Sequence, residues 1–351
     1  MEFSNHIVQW FNKNQRNLPW RTSKDPYKIW ISEIILQQTR VAQGISYYNN
    51  FINTFPNVSA LAEAKEEDVL KLWQGLGYYS RARNIHFTAK YIKEELNGHF
   101  PDQYIELLKL KGIGPYTAAA ISSICFNEKR AAVDGNVYRV LARVFNINTP
   151  TNSTSGIKEF QKLADNLISS ENPGDYNQGL MELGATVCTP KKTDCNSCPL
   201  ESICLAKSKN SIDQLPVKEK KLKVKNRYIK YYFIEQCNLF IMNKRTQKDI
   251  WQNMYDFPFE ECKTEKEHLN KVESNYLTEI IGVNKYQLKG SQTYKHKLSH
   301  QWLNIEIQHL KILNNSTKIK GNFVTKKEAL KLPVPKPIES FLKRILMSDK
   351  I

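Results

Sequence analysis

The sequence of 351 residues lacks the features that would assign it to a membrane-spanning or secreted class. No apolar run approaches the roughly 20 residues that a transmembrane helix needs, and the segment Met1–Trp10 contains no signal-peptide core. Internal repeats and low-complexity tracts are also absent. Hydrophobic content of 41% is ordinary for a globular protein, and the length allows two domains. We therefore expect a soluble, cytoplasmic protein.

Acidic residues are few relative to basic ones. The sequence contains 35 Asp and Glu residues and 51 Lys and Arg residues, which gives a net charge of +16. Such an excess is unfavourable for a compact fold unless an anionic partner uses it, and nucleic acid is the commonest such partner. An acidic membrane is a weaker interpretation, because no basic amphipathic terminal helix or lipidation motif is present. Charge alone does not choose between DNA, RNA and a merely lysine-rich surface.

Cysteine is scarce, yet four of the seven cysteines lie close together, with gaps of six, two and five residues. They are Cys188, Cys195, Cys198 and Cys204. In a reducing compartment, convergent thiolates hold a metal or an iron–sulfur cluster rather than disulfides. Zinc sites usually combine two well-separated CxxC pairs, whereas only one CxxC occurs here. The spacing favours a cubane cluster, with zinc or four unrelated buried thiols as alternatives.

The residue pattern changes after the cysteines, from helical spacing to strand-like runs. Apolar residues recur at helical spacing through most of the first 210 residues, separated by Gly, Pro and Asn breakers. Aromatic and β-branched runs predict strands at 228–235, 238–243 and 301–312, and helices are predicted at 265–281 and 337–347. We therefore predict a multi-domain protein. It has an all-α region (1–213), a basic linker (214–227) and an α+β domain (228–351).

A short glycine motif predicts a DNA-docking element. In the segment 107–121 a helix ends at Lys111, a Gly112-Ile-Gly114 turn follows, and Pro115 begins a second helix. This is the form of a helix-hairpin-helix. Glycines at Gly112 and Gly114 let a phosphate approach the backbone, and the following helix adds positive potential. The alternative is an ordinary helical hairpin with a glycine turn.

The order of these motifs resembles a known superfamily. A helix-hairpin-helix, then Val133-Asp134-Gly-Asn-Val137, then the C-x6-C-x2-C-x5-C cluster is similar to the endonuclease III superfamily of DNA glycosylases. Two segments, 30–41 (WISEIILQQTRV) and 75–83 (GLGYYSRAR), resemble the adenine DNA glycosylase family within it. Segments 251–258 and 298–300 resemble that family's Nudix-like C-terminal domain. The resemblance implies one 4Fe-4S cluster held by the four cysteines.

Excision of adenine needs an acid for the leaving base and a carboxylate for a cationic sugar, the division of labour found in glycoside hydrolysis. Glu33 lies among apolar residues, which would raise its pKa, and Asp134 precedes a helix, where backbone N–H groups would keep it ionised. The resemblance implies that Glu33 protonates N7 of adenine and that Asp134 stabilises the sugar cation, supported by Tyr116 and Asn136. The alternatives are a solvated helix carboxylate and a simple helix cap.

Tyr116 stands where bifunctional relatives carry a Schiff-base lysine, and Lys111 is five residues out of register. The resemblance therefore implies a monofunctional enzyme.

The resemblance also implies a set of DNA contacts. Trp20, Arg21 and Gln178 would line the adenine pocket, Gln38, Leu76 and Tyr78 would intercalate into the duplex, Thr39 would lie beside the opposite base, and Ser299 and His300 would recognise 8-oxoguanine. Leu298 departs from the family's Phe in that last motif.

These inferences combine into one hypothesis. The protein would be a base-excision-repair glycosylase that removes adenine mispaired with 8-oxoguanine or guanine by hydrolysing the N-glycosidic bond. Its partner would be double-stranded DNA carrying these mispairs, not a membrane, and it would act as a cytoplasmic, nucleoid-associated monomer. The alternatives are an endonuclease III-like bifunctional glycosylase and AP lyase, a non-catalytic iron–sulfur DNA-binding protein and, more distantly, a zinc-bearing RNA-binding protein.

Overall fold

The structure is a computed structural model that describes residues 2–219, 224–269, 275–314 and 319–347. Its backbone divides into two compact units. Unit 1 comprises Met1–Ala64 and Asn84–Lys220, and unit 2 comprises Lys65–Arg83 and Lys221–Ile351. Within the described ranges, no helix is long and apolar enough to cross a membrane.

Unit 1 is helical throughout its described part. Helices α5 and the start of α6 fall in unit 2, and the others below fall in unit 1. In chain order the helices are α1 (Glu2–Asn14), α2 (Pro26–Leu36), α3 (Val41–Thr54), α4 (Val58–Glu63), α5 (Glu66–Leu72), α6 (Ser80–Glu95), α7 (Tyr104–Leu107), α8 (Pro115–Phe126), α9 (Gly135–Val144), α10 (Thr154–Leu167), α11 (Pro173–Thr186) and α12 (Leu205–Ser208). Short 3-10 turns occur at Pro19–Thr22, Cys195–Ser197, Glu201–Ile203 and Ile212–Gln214.

Helix α11 is central to unit 1, where it packs against α1, α8 and α9. Its buried Leu180 and Leu183 join a core with Ile7 of α1 and Val140 of α9. At Gly184 the backbone of α11 comes so close to α9 that an added Cβ would lie 2.6 Å from the Cβ of Asn136. This close approach fixes the start of α9 against α11.

Unit 2 is an α+β assembly. Its strands are β1 (Lys225–Gln236), β2 (Leu239–Ile241), β3 (Asn243–Lys244), β4 (Tyr255–Asp256), β5 (Phe259–Cys262), β6 (Tyr286–Lys297), β7 (Gln301–Ile312) and β8 (Phe323–Thr325). Its remaining helices are α13 (Glu265–Leu269), α14 (Asn275–Ile281), α15 (Lys326–Ala329) and α16 (Lys336–Met347).

The main sheet has the order β6-β7-β1-β2-β8, with β5 also paired to β1, and β3 and β4 form a separate pair. Strand β1 runs parallel to β7, and the other pairings of the main sheet are antiparallel. Helix α14 covers one face through Leu277 and Ile281. On α16, Phe341 packs against Phe233 of β1 with ring centroids 5.2 Å apart. Because both faces of β1 are covered, its centre is continuously buried.

The predicted division into an all-α region and an α+β domain is confirmed, and strands lie at all three predicted positions. The helix predicted at 265–281 appears as α13 and α14, and residues 270–274 between them lie outside the described part of the chain. Strand β6 was not predicted. Its residues are largely exposed and polar, so it lacks the apolar alternation that marks a strand in a sequence.

Residues 65–83 belong to unit 2 although they lie far from it in sequence. Glu67 of α5 accepts hydrogen bonds from Tyr255 (2.7 Å) and Lys244 (2.9 Å). Lys71 donates to the carbonyl oxygens of Leu330 (2.8 Å) and Leu332 (2.9 Å). Contacts of this kind between distant segments leave no local pattern in a sequence. The domain limits at 213 and 228 stay a prediction.

Candidate active site

Glu33 lies on the buried face of α2. The helix begins at Pro26, and the side chain of Asp25 caps it by accepting a hydrogen bond from the Tyr27 amide at 2.9 Å. Most of the helix is buried, and Glu33 itself is only 8% exposed. Burial of a carboxyl group requires a polar partner. The hydroxyl of Tyr116, on α8, supplies it by donating to Glu33 Oε2 at 2.6 Å.

Asp134 caps helix α9. Its Oδ1 accepts from the amides of Asn136 and Val137, each at 2.8 Å, and its Oδ2 accepts from the Asn136 side-chain amide at 2.7 Å. Arg139 holds the side-chain oxygen of Asn136 at 2.9 Å. Every one of the donors to Asp134 is an N–H group, so the site is built for a carboxylate acceptor.

Glu33, Tyr116 and Asp134 open into one cavity of about 480 Å³ in unit 1. The predicted residues that line it are Trp20, Arg21, Glu33, Gln38, Thr39, Tyr116, Asp134, Asn136 and Gln178. A cavity of this size accommodates a small organic group such as a nucleobase. Gln38, at the rim just after α2, holds a left-handed backbone with φ of 61°, a conformation uncommon outside glycine.

The two carboxyl groups differ in their electrostatic surroundings. Burial raises the pKa of Glu33 to about 7; the Tyr116 hydrogen bond opposes this, the negative charge of Asp134 adds to it, and Arg21 opposes it. Burial also raises the pKa of Asp134, against the three N–H donors and Arg139. The N–H donors to Asp134 favour its ionised form, whereas burial favours the protonated form of Glu33.

Sequence reasoning missed an ionic cluster on the cavity wall. Glu182 of α11 has a side chain only 1% exposed, and it pairs with Arg16 at 2.6 Å and with Arg21 at 2.7 Å. Burial alone would raise the pKa of Glu182, but the hydrogen bonds from the two arginines lower it to about 2. Glu182 therefore fixes the guanidinium of Arg21 at the cavity. The partners are 161 and 166 residues apart, so no local signal could reveal them.

The second helix of the helix-hairpin-helix, α8, begins at Pro115 as predicted, but the first helix, α7, ends at Leu107 and not at Lys111. After Leu107 the backbone continues as turns, with i→i+3 hydrogen bonds from the amides of Lys109 and Leu110. Gly112 adopts φ of +84°, and a Cβ there would lie 2.7 Å from the Cβ of Asn84. Gly114 is the residue before Pro115 at the start of α8, and a Cβ there would meet nothing within 4 Å. The turn therefore requires glycine at position 112, because the backbone there has a positive φ. At position 114 the missing side chain leaves the space next to the first amides of α8 open.

Leu76, Tyr78, Ser299 and His300 lie in unit 2, so they are not part of the cavity lining. Tyr78 is 43% exposed and adopts φ of 47°. Arg81 supports this loop: its guanidinium donates to the Gly77 carbonyl at 3.1 Å and packs 5.7 Å from the centroid of the Tyr78 ring. The hydroxyl groups of Tyr78 and Ser299 are hydrogen-bonded. The predicted wedge loop and the predicted recognition turn therefore meet within unit 2.

Comparison with known proteins agrees with this geometry. Residues 31–164 match the HhH-GPD superfamily of base excision DNA repair proteins, and residues 230–344 match the NUDIX domain. The chain is 38% identical over 347 residues to an adenine DNA glycosylase of Buchnera aphidicola subsp. Schizaphis graminum, covering 97% of both chains. The human adenine DNA glycosylase is 43% identical over 222 residues, which is 61% of this chain and 41% of the human one.

The chain belongs to the adenine DNA glycosylase family. It is therefore a base-excision-repair enzyme. Among solved structures, a thermostable thymine-DNA glycosylase is 29% identical, with a TM-score of 0.54 over 59% of this chain and 95% of that one. A non-covalent endonuclease III–DNA complex has a TM-score of 0.51 at 22% identity, covering 59% of this chain and 94% of that one, and it shows the fold alone.

In this glycosylase the four predicted cysteines line a common cavity in unit 1 together with Val140, Leu183 and Arg143. Arg143 lies with its Nη1 3.4 Å from the Cys188 sulfur and donates to the Thr189 carbonyl at 2.8 Å. No three His, Cys, Asp or Glu side chains of the described residues lie close enough to hold one metal ion. Four thiols that line one cavity form a donor set that suits a bound metal or an iron–sulfur cluster.

Proposed function

We propose that this enzyme removes adenine paired with 8-oxoguanine or guanine by hydrolysing the N-glycosidic bond, without cutting the strand. The observation that carries the proposal is the pairing, across one cavity, of a buried Glu33 with a pKa near 7 and an Asp134 held by three N–H donors. Hydrolysis of an N-glycosidic bond needs this combination. One group must deliver a proton to the base, and the other must tolerate positive charge on the sugar.

Glu33 is suited to the acid role. Burial raises the pKa of Glu33 to about 7, so the protonated form is available near neutral pH. A ring nitrogen of an extruded adenine, N7 by analogy with the family, would take this proton as the bond to the sugar breaks. The Tyr116 hydroxyl donates to Oε2 at 2.6 Å and so holds the carboxyl group in the wall of the cavity.

Asp134 is suited to stabilise the sugar. As the C1′ atom becomes cationic, a carboxylate with a fixed position lowers the energy of the charge without having to reorganise. The α9 amides and Asn136 hold Asp134 in place. Water then attacks C1′ and releases one proton, which restores the acid form of Glu33, and the products are free adenine and an abasic site.

Strand cutting by a lyase requires an amine that forms a Schiff base with the sugar. Tyr116 occupies the corresponding position, and no lysine is among the residues that line the cavity. Lys111, in the helix-hairpin-helix, is not one of the cavity residues; its ammonium group lies 4.2 Å from the ring centroid of Phe87. These features support a monofunctional reaction over the endonuclease III-like alternative.

Recognition of the base opposite adenine would use unit 2. Ser299 and His300 are exposed in the tight turn between β6 and β7, and the Ser299 hydroxyl contacts Tyr78 of the wedge loop. Their hydrogen-bonding groups would read 8-oxoguanine while Leu76 and Tyr78 fill the space that the extruded adenine leaves. Gln38 and Thr39, on the rim of the cavity in unit 1, would contact the duplex at the same mispair.

We also propose that Cys188, Cys195, Cys198 and Cys204 hold one 4Fe-4S cluster. A bound cluster would cross-link the segment after α11 and so keep the basic loop at Lys191 and Lys192 in place for phosphate contacts. We further expect the enzyme to act as a monomer, in the cytoplasmic compartment that holds its DNA. Iron and sulfide analysis with visible absorption of the purified protein tests the cluster; a colourless protein with one zinc per chain would reject it.

The decisive experiment is single-turnover excision on duplexes with adenine opposite 8-oxoguanine, guanine, cytosine or thymine. We expect fast excision opposite 8-oxoguanine, slower excision opposite guanine, and strand breaks only after alkali treatment. Glu33→Gln should lower the rate by about 10²–10⁴, the usual contribution of a general acid, whereas the surface variant Glu63→Gln should be unaffected. Comparable rates for Glu33→Gln would exclude the acid role, and breaks before alkali would indicate a lyase.

A further inference from the structure

The outer face of the β6–β7 hairpin carries a basic patch that the reaction does not use. Lys297 and Trp302 are directly paired across the two strands, and Lys295 is paired with Asn304 on the same face. Lys225, at the start of β1, is paired with Gln301 of β7, whose side chain lies on the opposite face from Trp302, so Lys225 is not part of this patch. We call Lys295, Lys297 and Trp302 the hairpin patch.

The hairpin patch is open to solvent. Both lysines are exposed, and Trp302 is 36% exposed. The acidic side chain on the same face, Glu306, accepts hydrogen bonds from Ser291 and Gln308. Within the described part of the chain, neither Lys295 nor Lys297 forms an ion pair. The Lys297 ammonium lies 5.2 Å from the Trp302 ring centroid, a contact that holds the charge near the sheet instead of letting it range freely.

The position of the hairpin patch identifies its partner. Lys297 is two residues before Ser299, and Trp302 is two residues after His300. The Lys225 amide donates to the His300 carbonyl at 3.1 Å, and the Leu298 amide closes the turn on the Gln301 carbonyl at 2.8 Å. Side chains this close to a turn that reads a base must lie within reach of the phosphates that flank that base, since phosphates follow one another along a strand at short spacing.

We propose that the hairpin patch binds the phosphate backbone of the lesion-containing strand and so sets the register of the Ser299-His300 turn on the duplex. This inference rests on the proposed function of that turn. Lys295 and Lys297 supply the charge, and Trp302 positions Lys297 and packs against the sugar. The contact is independent of sequence, so it contributes equally to lesion and undamaged duplexes.

The test is the salt dependence of duplex binding by the full-length protein, with an uncleavable adenine analogue opposite 8-oxoguanine. The variant Lys295→Ala/Lys297→Ala should lower the slope of log K against log salt by about 2, since each phosphate contact contributes about 0.9. The matched control is Lys289→Ala/Lys311→Ala, which removes the same charge from exposed positions about 20 Å further along the hairpin. We expect that control to leave the slope unchanged, and Lys295→Arg/Lys297→Arg to keep the wild-type slope.

Two outcomes would overturn the proposal: an unchanged slope in Lys295→Ala/Lys297→Ala, or an equal loss in the control variant. Trp302→Ala should lower the slope of log K against log salt by the contribution of Lys297, because the ring that positions this lysine is gone. Trp302→Phe keeps a ring and should retain the wild-type slope. Excision at saturating enzyme reports separately on the proposed function. A normal preference for 8-oxoguanine with an unchanged salt slope would reject the hairpin patch alone, whereas no preference in the wild-type protein would reject the role of the turn.

Discussion

The hydroxyl of Tyr116 donates to Glu33 Oε2 at 2.6 Å, across two helices whose residues are 83 positions apart. This bond joins the side chain at the position where a lyase lysine is expected to the side chain that we propose as the proton donor. It also lowers the pKa of Glu33, against the larger opposing effect of burial. Tyr116 therefore lowers the upper limit of the pH range in which Glu33 stays protonated.

Tyr116→Phe should move the alkaline limb of the pH profile of the single-turnover excision rate to higher pH. Without the hydroxyl donor, the ionised form of Glu33 loses a stabilising hydrogen bond, so its pKa rises above the wild-type value of about 7. The measurement is the excision rate between pH 5.5 and 9. Tyr27→Phe is the matched control, because that hydroxyl donates to the Phe55 carbonyl instead. A limb that moves to lower pH would contradict this account.

Glu33→Gln should make the protein more resistant to alkaline conditions. The pKa of Glu33 is raised from 4.5 to about 7 by burial, so the folded state binds a proton that the unfolded state releases between these values. Stability is therefore full below about pH 4.5 and is lost as pH rises through 7, by up to about 3 kcal/mol. Glutamine does not titrate, so the Tm difference between variant and wild type should grow from pH 5 to pH 8. A constant difference would show that Glu33 is not protonated in the fold.

Glu182→Gln should destabilise the protein and impair the adenine pocket together. Loss of the charge leaves Arg16 and Arg21 beside a neutral amide, and breaking a buried ion pair from one side costs about 3 kcal/mol. We expect a lower Tm and weaker binding of the adenine analogue. Arg16→Gln, whose side chain is 38% exposed, should have a smaller effect on both. Equal effects of the two variants would argue against Glu182 as the centre of the cluster.

Alanine substitutions at Gly112 and Gly114, the two glycines of the helix-hairpin-helix turn, should have different effects on stability. Gly112→Ala meets both a positive φ and the Asn84 side chain, so it should lower the free energy of unfolding by at least about 1 kcal/mol. Gly114→Ala has neither obstacle, so stability should change little while the methyl group obstructs the phosphate. Both variants should bind duplex DNA more weakly. Normal affinity in Gly114→Ala would remove the turn from the DNA interface.

Much of the fold was predictable because it follows from local patterns. The spacing of apolar residues predicted the helix that follows Asp134, and the α9 cap was predicted from Asp134 preceding a glycine. The helical spacing predicted over 34–41 was wrong beyond Leu36, because the backbone turns at Gln38 with a positive φ. Strand β6 could not be predicted, because a polar edge strand has no buried face to impose alternation. The grouping of residues 65–83 with unit 2 also left no sequence signal, since it depends on contacts such as that between Glu67 and Tyr255.

The sequence by itself determined the residue types, the order of the motifs, the basic charge and the close spacing of the four cysteines. Tertiary structure alone decided the hydrogen bond between Tyr116 and Glu33, the anchoring of Arg21 by Glu182, and the meeting of Tyr78 with Ser299. The physical reason is that pKa values and ion pairs depend on distance and local dielectric, and both arise when segments far apart in the chain pack together.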